Sequence, residues 1–336
     1  MPDPTDLGPA PFVLRPDQLT APEADAVLDG AVVVEPHVAV LDVTGPGAVA
    51  CMQGLLTADI DKPGDGAFVY GALLTPKGMI VTDLWALRER GAVRLTVPRD
   101  GLAAALEIFS RSLPPRLARY AERSPDHRVV RLAGPRALEL AAAAGLAVPS
   151  EGRAGPAILG ECACVVARPH HAPFAVDLVV PAAHVASLRS RLAAAGMIEA
   201  APAALELARV LAGWPRLGAE IDGKTLPQEV RFDDLGGVSY TKGCYTGQET
   251  VARLHFRGHA NRQLMGLAWD EPPDLARTEV SQDERPRGRV SSIAWVAPLE
   301  RHLGLGIIRR EVDRARPVVA AGAPASVLEL PFALDA

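Results

Sequence analysis

The sequence lacks an excess of positive charge. Its 336 residues carry 35 Lys and Arg against 40 Asp and Glu, which gives a formal net charge of -5 at pH 7. Proteins that bind the phosphate backbone of nucleic acids usually present a net basic domain or stripe. The composition therefore predicts no nucleic-acid partner.

Long apolar runs and paired cysteines are also scarce. No segment reaches the roughly 18 consecutive apolar residues that a membrane-spanning helix needs, and the N-terminus lacks the basic and apolar regions of a secretory signal. These absences predict a cytoplasmic protein without a membrane partner. The four cysteines fit neither a disulfide framework nor the paired ligands of a structural zinc site, so we expect reduced thiols. They are Cys51, Cys162, Cys164 and Cys244.

Apolar sequence is abundant, and one apolar pattern occurs twice. Hydrophobic residues make up 49% of the chain, enough for a large core divided among two or three domains. The order strand, Gly-Pro, helix is found at residues 38–56 and again at 129–146. Each proline stands in the first helical turn, where its missing N–H costs nothing. We predict two related α+β lobes with a shared seam.

The composition along the chain indicates where these units begin and end. We expect an extended N-terminal segment over residues 1–30, a first lobe over 31–125 and a second lobe over 126–202. From residue 264 onward, short strand-like runs alternate with Pro, Gly and Arg. This pattern predicts a small antiparallel β-barrel over residues 264–336.

A hairpin in the first lobe places one carboxylate among apolar residues. Residues 75–78, Thr-Pro-Lys-Gly, have proline and glycine at the second and fourth positions of a type I turn. In the strand that follows, alternation puts Asp83 and Trp85 on one face together with three apolar side chains. Such a carboxylate either binds a ligand or is bonded to backbone within the core. The sequence pattern alone leaves both interpretations open.

Residues 242–249 combine a cysteine with the start of a helix. Thr246 and Glu249 match a capping box, which predicts a helix from about residue 247. The helix N-terminus and the Lys242 ammonium would both favour the thiolate form of Cys244. We therefore predict a partly exposed, acidified thiol that acts as a nucleophile or soft-metal ligand. The alternative is a buried structural thiol, because cysteine is among the most buried residue types.

This segment resembles the signature of the folate-binding YgfZ-type proteins, which include mitochondrial iron-sulfur assembly factors. The likeness continues through residues 53–57, 74–78, 226–229 and 288–292. It implies the α+β fold of the glycine-cleavage aminomethyltransferases, in which three domains form a ring around a folate cavity. Two of these domains are related α+β lobes, and the third is the C-terminal β-barrel. The matching residues of the segment are Lys242, Gly243, Cys244, Tyr245, Gly247, Gln248 and Glu249.

The resemblance also implies a ligand and its contacts. It implies that tetrahydrofolate, or another reduced folate, binds at the seam of the lobes, with residues 203–263 contributing to the site. Cys244 and Lys242 are then the candidate functional pair. No stable metal site is expected, because four scattered cysteines do not supply the ligands of a permanent cluster, and Cys244 would be a transient ligand at most. The candidate folate contacts are Asp83, Trp85, Glu229 and Arg253.

Two functions remain open at this point. In the preferred one, the protein is a monomeric accessory factor that binds reduced folate and contacts scaffold, carrier or client proteins during iron-sulfur assembly or maintenance. The alternative is a folate-dependent one-carbon transferase of the aminomethyltransferase or demethylase type. The aminomethyltransferases carry an Asp-Asp pair where this chain has Thr82 and Asp83, and a glutamate where it has Leu211. Both differences disfavour transferase chemistry, which needs placed polar groups.

Overall fold

The N-terminal segment is folded rather than extended. The structure is a computed structural model that describes residues 10–333. The segment holds strand β1 (Phe12–Leu14) and helix α1 (Ala21–Asp29), and strand β2 (Val32–Val34) follows it directly. The predicted extended lead-in over 1–30 is therefore wrong for residues 10–30, and residues 1–9 lie outside the described part. The helix forms because Thr20 and Glu23 make a capping box, in which the Thr20 amide donates to the Glu23 carboxylate at 2.8 Å.

The first lobe is a five-stranded antiparallel sheet with two helices. Its strand order is β4-β5-β6-β3-β7. The predicted turn at residues 75–78 joins β4 to β5, with the amide of Gly78 donating to the carbonyl of Thr75 at 2.9 Å. The elements are β3 (Val38–Thr44), α2 (Ala48–Gln53), β4 (Phe68–Leu74), β5 (Ile80–Glu89), β6 (Ala92–Pro98), α3 (Leu102–Ser112) and β7 (Arg119–Glu122).

The second lobe repeats the same connectivity. Its sheet has the order β9-β10-β11-β8-β2-β12, in which β8 to β11 correspond to β3 to β6 of the first lobe. The predicted internal repeat is thus confirmed, from the first strand of each lobe to the helix after the fourth. The elements are β8 (His127–Ala133), α4 (Ala137–Ala143), β9 (Arg153–Leu159), β10 (Cys162–Arg168), β11 (Val176–Pro181), α5 (Val185–Ala194) and β12 (Ile198–Glu199).

One strand within the predicted bounds of the first lobe belongs to the sheet of the second lobe, which the sequence boundaries did not anticipate. Strand β2 precedes the first lobe along the chain, yet it pairs antiparallel with β8 of the second lobe. Strand β7, just before the second lobe, pairs with β3 of the first. A first lobe over 31–125 is therefore wrong for residues 32–34. The physical reason is Pro36, which cannot donate to a ladder and ends β2 before the chain turns into the other sheet.

The C-terminal domain is a closed barrel of six strands. Strand β15 pairs with both β14 and β16 and so closes the sheet. Strand β1 adds to β15 in parallel from the N-terminal segment. The predicted antiparallel barrel is confirmed, with its first strand starting at Arg262. Its strands are β13 (Arg262–Trp269), β14 (Glu279–Gln282), β15 (Arg285–Val296), β16 (Arg301–Arg309), β17 (Val318–Ala320) and β18 (Ala323–Leu328).

Two further helices connect the second lobe to the barrel. Helix α6 (Pro202–Ala212) contacts α1, β2 and the barrel strands β15 and β16. Helix α7 (Gln248–Arg257) lies at the surface and buries only Val251. Within residues 10–333, no helix is both long and apolar enough to cross a membrane.

A buried ion pair holds α6 to the barrel. The Arg209 guanidinium donates to the Glu220 carboxylate at 3.0 Å and to the Ser292 hydroxyl at 2.8 Å. Glu220 also accepts from the hydroxyls of Ser291 and Ser292 at 2.8 and 2.6 Å. Glu220 is fully buried. Its removal would leave the Arg209 guanidinium buried, with the partly exposed Glu206 as its remaining carboxylate partner.

We expect Glu220→Ala to lower the free energy of unfolding by about 3–5 kcal/mol, the range found when one partner of a buried ion pair is removed. Glu206→Ala is the matched control, because Glu206 contacts the same guanidinium but keeps 24% of its side chain exposed. Its cost should be clearly smaller. Urea denaturation of both variants measures the difference, and equal losses would contradict this role for Glu220.

Candidate functional site

A cavity of about 470 Å³ lies between the two lobes and helix α6. Its volume falls in the range of small-molecule sites, and its walls come from elements far apart in the sequence. The first lobe contributes β5 and β6, the second contributes β8, and the segment after α6 closes one side. Its central lining residues are Asp83, Trp85, Thr96, Arg131, Phe174, Glu206, Trp214 and Arg216.

Strand β5 presents Asp83 and Trp85 to this cavity, as the alternation predicts. Trp85 packs in the central core with Leu87, whereas Leu84 packs on the opposite face of the sheet in the core of the first lobe. The alternation fails at the start of the strand, where Ile80 lies on the Trp85 side. The cause is a bulge, since β4 residues 73 and 74 pair with residues 82 and 80 and leave Val81 unpaired.

The Asp83 carboxylate is buried and only half satisfied. Its Oδ2 accepts a hydrogen bond from the Tyr70 hydroxyl at 3.0 Å, while Oδ1 has no partner within residues 10–333. Burial raises the pKa of Asp83 to about 6, although the Tyr70 bond and the charge of Arg131 act in the opposite direction. A buried acceptor without a donor is costly, so Oδ1 is suited to a ligand N–H.

Aromatic rings surround this carboxylate. Trp85 stacks on Phe68 with ring centroids 4.8 Å apart and meets Phe174 edge-on at 5.3 Å. Trp214 lies parallel to Trp85 at 5.9 Å and also contacts Tyr70. Trp85, Phe174 and Trp214 line the cavity and form an aromatic wall beside the Asp83 carboxylate, which suits a planar heterocycle that carries N–H groups.

Arg131 is a cavity residue that sequence reasoning missed. Its guanidinium donates twice to the buried Asp177, at 2.6 and 2.8 Å, and lies 3.8 Å above the centre of the Phe174 ring. Residues 131 and 177 face each other on β8 and β11. The sequence does place an arginine and an aspartate inside two apolar strands of one predicted sheet. Because buried charges occur in pairs, this pattern could have predicted the contact.

Lys242 anchors the loop before α7 to the first lobe. Its ammonium donates to the carbonyls of Gln53, Leu56 and Ala58 at 2.7, 2.7 and 2.8 Å. All three ammonium protons are thus used at the C-terminal end of α2, where a cation is favourable. Burial lowers the pKa of Lys242 to about 8. The hydrogen bonds of Lys242 therefore hold the loop to the first lobe, and none of them goes to Cys244, which we had predicted this ammonium to activate.

Helix α7 starts where predicted, but not through the predicted capping box. Its N-cap is Gly247, with φ of +81° and no side-chain cap. A Cβ at this position would lie 2.6 Å from the Thr75 carbonyl oxygen, and one at Gly78 would lie 2.9 Å from Thr250. The glycines therefore allow the hairpin turn and the helix start to touch through their backbones. This close contact, rather than the Thr246 and Glu249 side chains, fixes the start of the helix.

Cys244 is exposed, which confirms the predicted accessibility of its thiol. The next residue, Tyr245, is buried in the central core and its hydroxyl has no partner in the described part of the chain. Cys162 and Cys164 lie in the core of the second lobe instead. Among residues 10–333, no group of three or more His, Cys, Asp and Glu is arranged to hold a metal ion.

The two remaining candidate folate contacts do not reach the cavity. Glu229 makes a double hydrogen bond with Arg262 at 2.7 and 3.2 Å and accepts from the amide of Leu226 at 3.0 Å, so its carboxylate has a structural role. Arg253 lies on the exposed face of α7. Neither residue lines the space around Asp83 and Trp85. Motif membership alone did not distinguish ligand contacts from residues that hold the domains together.

Comparisons with known proteins agree with this architecture. The profile of the GCVT N-terminal domain family matches residues 16–235, well over half of the chain. The crystal structure of glycine cleavage system aminomethyltransferase T from Bartonella henselae superposes with a TM-score of 0.76 at 18% identity, covering 93% of this chain and 89% of that one. At this identity the likeness shows the fold, and it confirms the predicted aminomethyltransferase architecture.

Curated relatives carry the name tRNA-modifying protein YgfZ. The protein from Pectobacterium carotovorum is 29% identical over 267 residues, covering 77% of this chain and 74% of that protein. The protein from Escherichia fergusonii is 29% identical over 238 residues, covering 68% and 69%. For the protein from Vibrio atlanticus, the match covers 38% of this chain and 42% of the relative. The chain therefore belongs to the GCVT N-terminal domain family, as a YgfZ-type member of the glycine-cleavage T-protein superfamily.

Proposed function

We propose that the protein binds tetrahydrofolate, or a related reduced folate, in the cavity between the lobes. The observation that carries this proposal is the unpartnered Oδ1 of Asp83 beside the Trp85 ring in a cavity of about 470 Å³. A reduced pterin is a near-planar ring with several N–H donors, which suits the Asp83 acceptor and the aromatic wall beside it. The fold shared with an aminomethyltransferase supports the same ligand class.

We further propose that the folate-bound protein is an accessory factor for iron-sulfur proteins, with Cys244 as its functional thiol. The exposed position of Cys244 lets a partner protein approach, and the bonds of Lys242 hold its loop in place. A transient thiolate contact to a cluster or sulfur species needs both access and a fixed position. The name of the relatives indicates that the supported process is tRNA modification.

A folate-dependent one-carbon transferase is the second candidate function. It is favoured by Asp83, whose pKa of about 6 allows it to exchange a proton near neutral pH inside the cavity. It is disfavoured by the two positions that differ from the aminomethyltransferases. Thr82 is fully buried and donates to the backbone carbonyl of Asp83 at 3.0 Å, and Leu211 belongs to the central core.

We expect this protein not to replace the aminomethyltransferase in glycine cleavage, because Thr82 and Leu211 add no acid or base to the cavity. The assay supplies the other glycine-cleavage components, the lipoylated carrier and tetrahydrofolate, and measures methylene-tetrahydrofolate. An authentic aminomethyltransferase in the same mixture is the positive control. Product formation near the rate of that control would favour the transferase over the accessory factor.

The test of folate binding is its pH dependence. The pKa of Asp83 is raised to about 6, so its carboxylate becomes protonated as the pH falls below 6 and no longer accepts a hydrogen bond from the ligand. If the bound folate donates to Oδ1, the dissociation constant should rise about tenfold per pH unit below that value. Asp83→Asn should bind more weakly and lack this dependence.

Calorimetry between pH 5 and pH 8 measures both proteins. Ionisation of the folate itself affects the two proteins equally, so only the difference between their curves reports on Asp83. Parallel curves for wild type and Asp83→Asn would remove Asp83 from the site.

A further inference from the structure

The outer face of α7 is positively charged, whereas the whole chain has a net negative charge. Arg253, Phe256 and Arg257 are spaced at i, i+3 and i+4, so they share one face of the helix. Both arginines are exposed and have no ion-pair partner within residues 10–333. The net charge of -5, from which we predicted no nucleic-acid partner, is a sum over all residues and does not describe this face.

More positive charge lies next to the end of this helix. The amide of Arg310 donates to the carbonyl of Asn261 at 3.1 Å, and Arg309 pairs opposite Arg262 on the barrel. Arg309 and Arg310 are exposed, and neither makes an ion pair in the described part of the chain. Many other surface arginines are paired, including Arg123, which contacts Asp42. Unpaired guanidinium groups on one side of a protein are suited to an anionic partner.

Aromatic rings are stacked within the same surface. The rings of Tyr240 and His255 stack with centroids 3.6 Å apart, and His255 meets Phe256 edge-on at 4.8 Å. Phe256 is 67% exposed and is the only large apolar side chain of α7 that is exposed to this degree. The surface thus combines exposed rings with unpaired cations, which suits a partner that carries both negative charge and flat apolar faces.

We propose that this surface, formed by Arg253, Phe256, Arg257, Arg309 and Arg310, binds single-stranded RNA. Guanidinium groups contact the phosphates, and an unpaired base stacks on the exposed Phe256 ring. A duplex does not expose the faces of its bases, so a single-stranded segment fits better. The surface lies outside the folate cavity, and the inference does not depend on folate binding.

The test is fluorescence anisotropy with the full chain and a labelled 12-nucleotide RNA of mixed sequence without self-complementarity. We expect Arg253→Ala/Arg257→Ala to weaken binding at least tenfold and to make the salt dependence shallower by about 1.4 in the log-log slope, since each phosphate contact on a single strand contributes about 0.7. Phe256→Ala should weaken binding about tenfold without changing that slope.

The control removes the same charge elsewhere. Lys62→Ala/Arg116→Ala deletes two exposed cations of the first lobe and should change the affinity less than twofold. Asp83→Ala should leave RNA binding unchanged, which separates this surface from the folate site. Three results would overturn the proposal: no RNA binding by the wild type in 50 mM salt, equal losses in test and control pairs, or tighter binding of an oligoglutamate peptide, which would indicate an acidic protein partner.

Discussion

Replacing Cys244 by serine is expected to abolish the ability of the protein to restore iron-sulfur enzyme activities in cells that lack it. Serine keeps the size of the side chain but cannot supply a thiolate, so any contact to iron or sulfur is lost. The fold should be unaffected, because the thiol is exposed and a serine hydroxyl there stays in water. Surface substitutions of this kind usually change stability by less than about 0.5 kcal/mol.

The measurement compares enzyme activities in deficient cells that carry wild type, Cys244→Ser or Cys51→Ser. Cys51 is the matched control, because it is half-buried beside the core of the first lobe and takes no part in the loop before α7. Thermal melting and tetrahydrofolate titration of the purified variants should match the wild type. Full restoration of the activities by Cys244→Ser would show that the thiol is dispensable.

Replacing Asp83 by alanine is expected to weaken tetrahydrofolate binding by about tenfold to a hundredfold. A hydrogen bond to a charged group contributes about 1.5–3 kcal/mol, and Oδ1 is an acceptor without a donor among the described residues. Calorimetry measures the loss. Asp100→Ala is the control, since it removes a carboxylate from the exposed rim of the same cavity.

Stability separates loss of binding from loss of folding. The pKa of Asp83 is raised above its ordinary value by burial, so the ionised carboxylate destabilises the folded protein as the pH rises through about 4 to 6. Asp83→Asn should therefore be more stable than the wild type at pH 7.5, by up to about 3 kcal/mol, and should lose this advantage below pH 4. A variant that binds folate weakly but melts at a higher temperature identifies Asp83 as a binding group. Unchanged affinity in Asp83→Ala would exclude that role.

The lobes and the barrel could be predicted because local sequence determines them. The repeated strand, Gly-Pro and helix pattern, with the turn at residues 75–78, specifies units that form from neighbouring segments. The pairing of β2 with the second lobe could not be predicted in this way. It depends on which sheet edge each short strand meets in the folded molecule, and the alternation within a strand does not contain that information.

The site was predictable where alternation determines it and unpredictable where tertiary contacts do. Asp83 and Trp85 share a face of β5, which period-2 alternation gives directly. The hydrogen-bond partners of Lys242 and Glu229 lie in other parts of the chain. The sequence therefore predicted functional roles for these two residues, whereas their hydrogen bonds hold the domains together. Tertiary packing also overrides the capping box before α7, because Gly247 is held against the hairpin turn.

A crystal structure of the protein grown with tetrahydrofolate shows whether the cavity between the lobes is the folate site. We expect one folate in this cavity, with a pterin N–H about 2.9 Å from Oδ1 of Asp83 and the ring against Trp85. Folate bound elsewhere, or an unfilled cavity at saturating tetrahydrofolate, would contradict it.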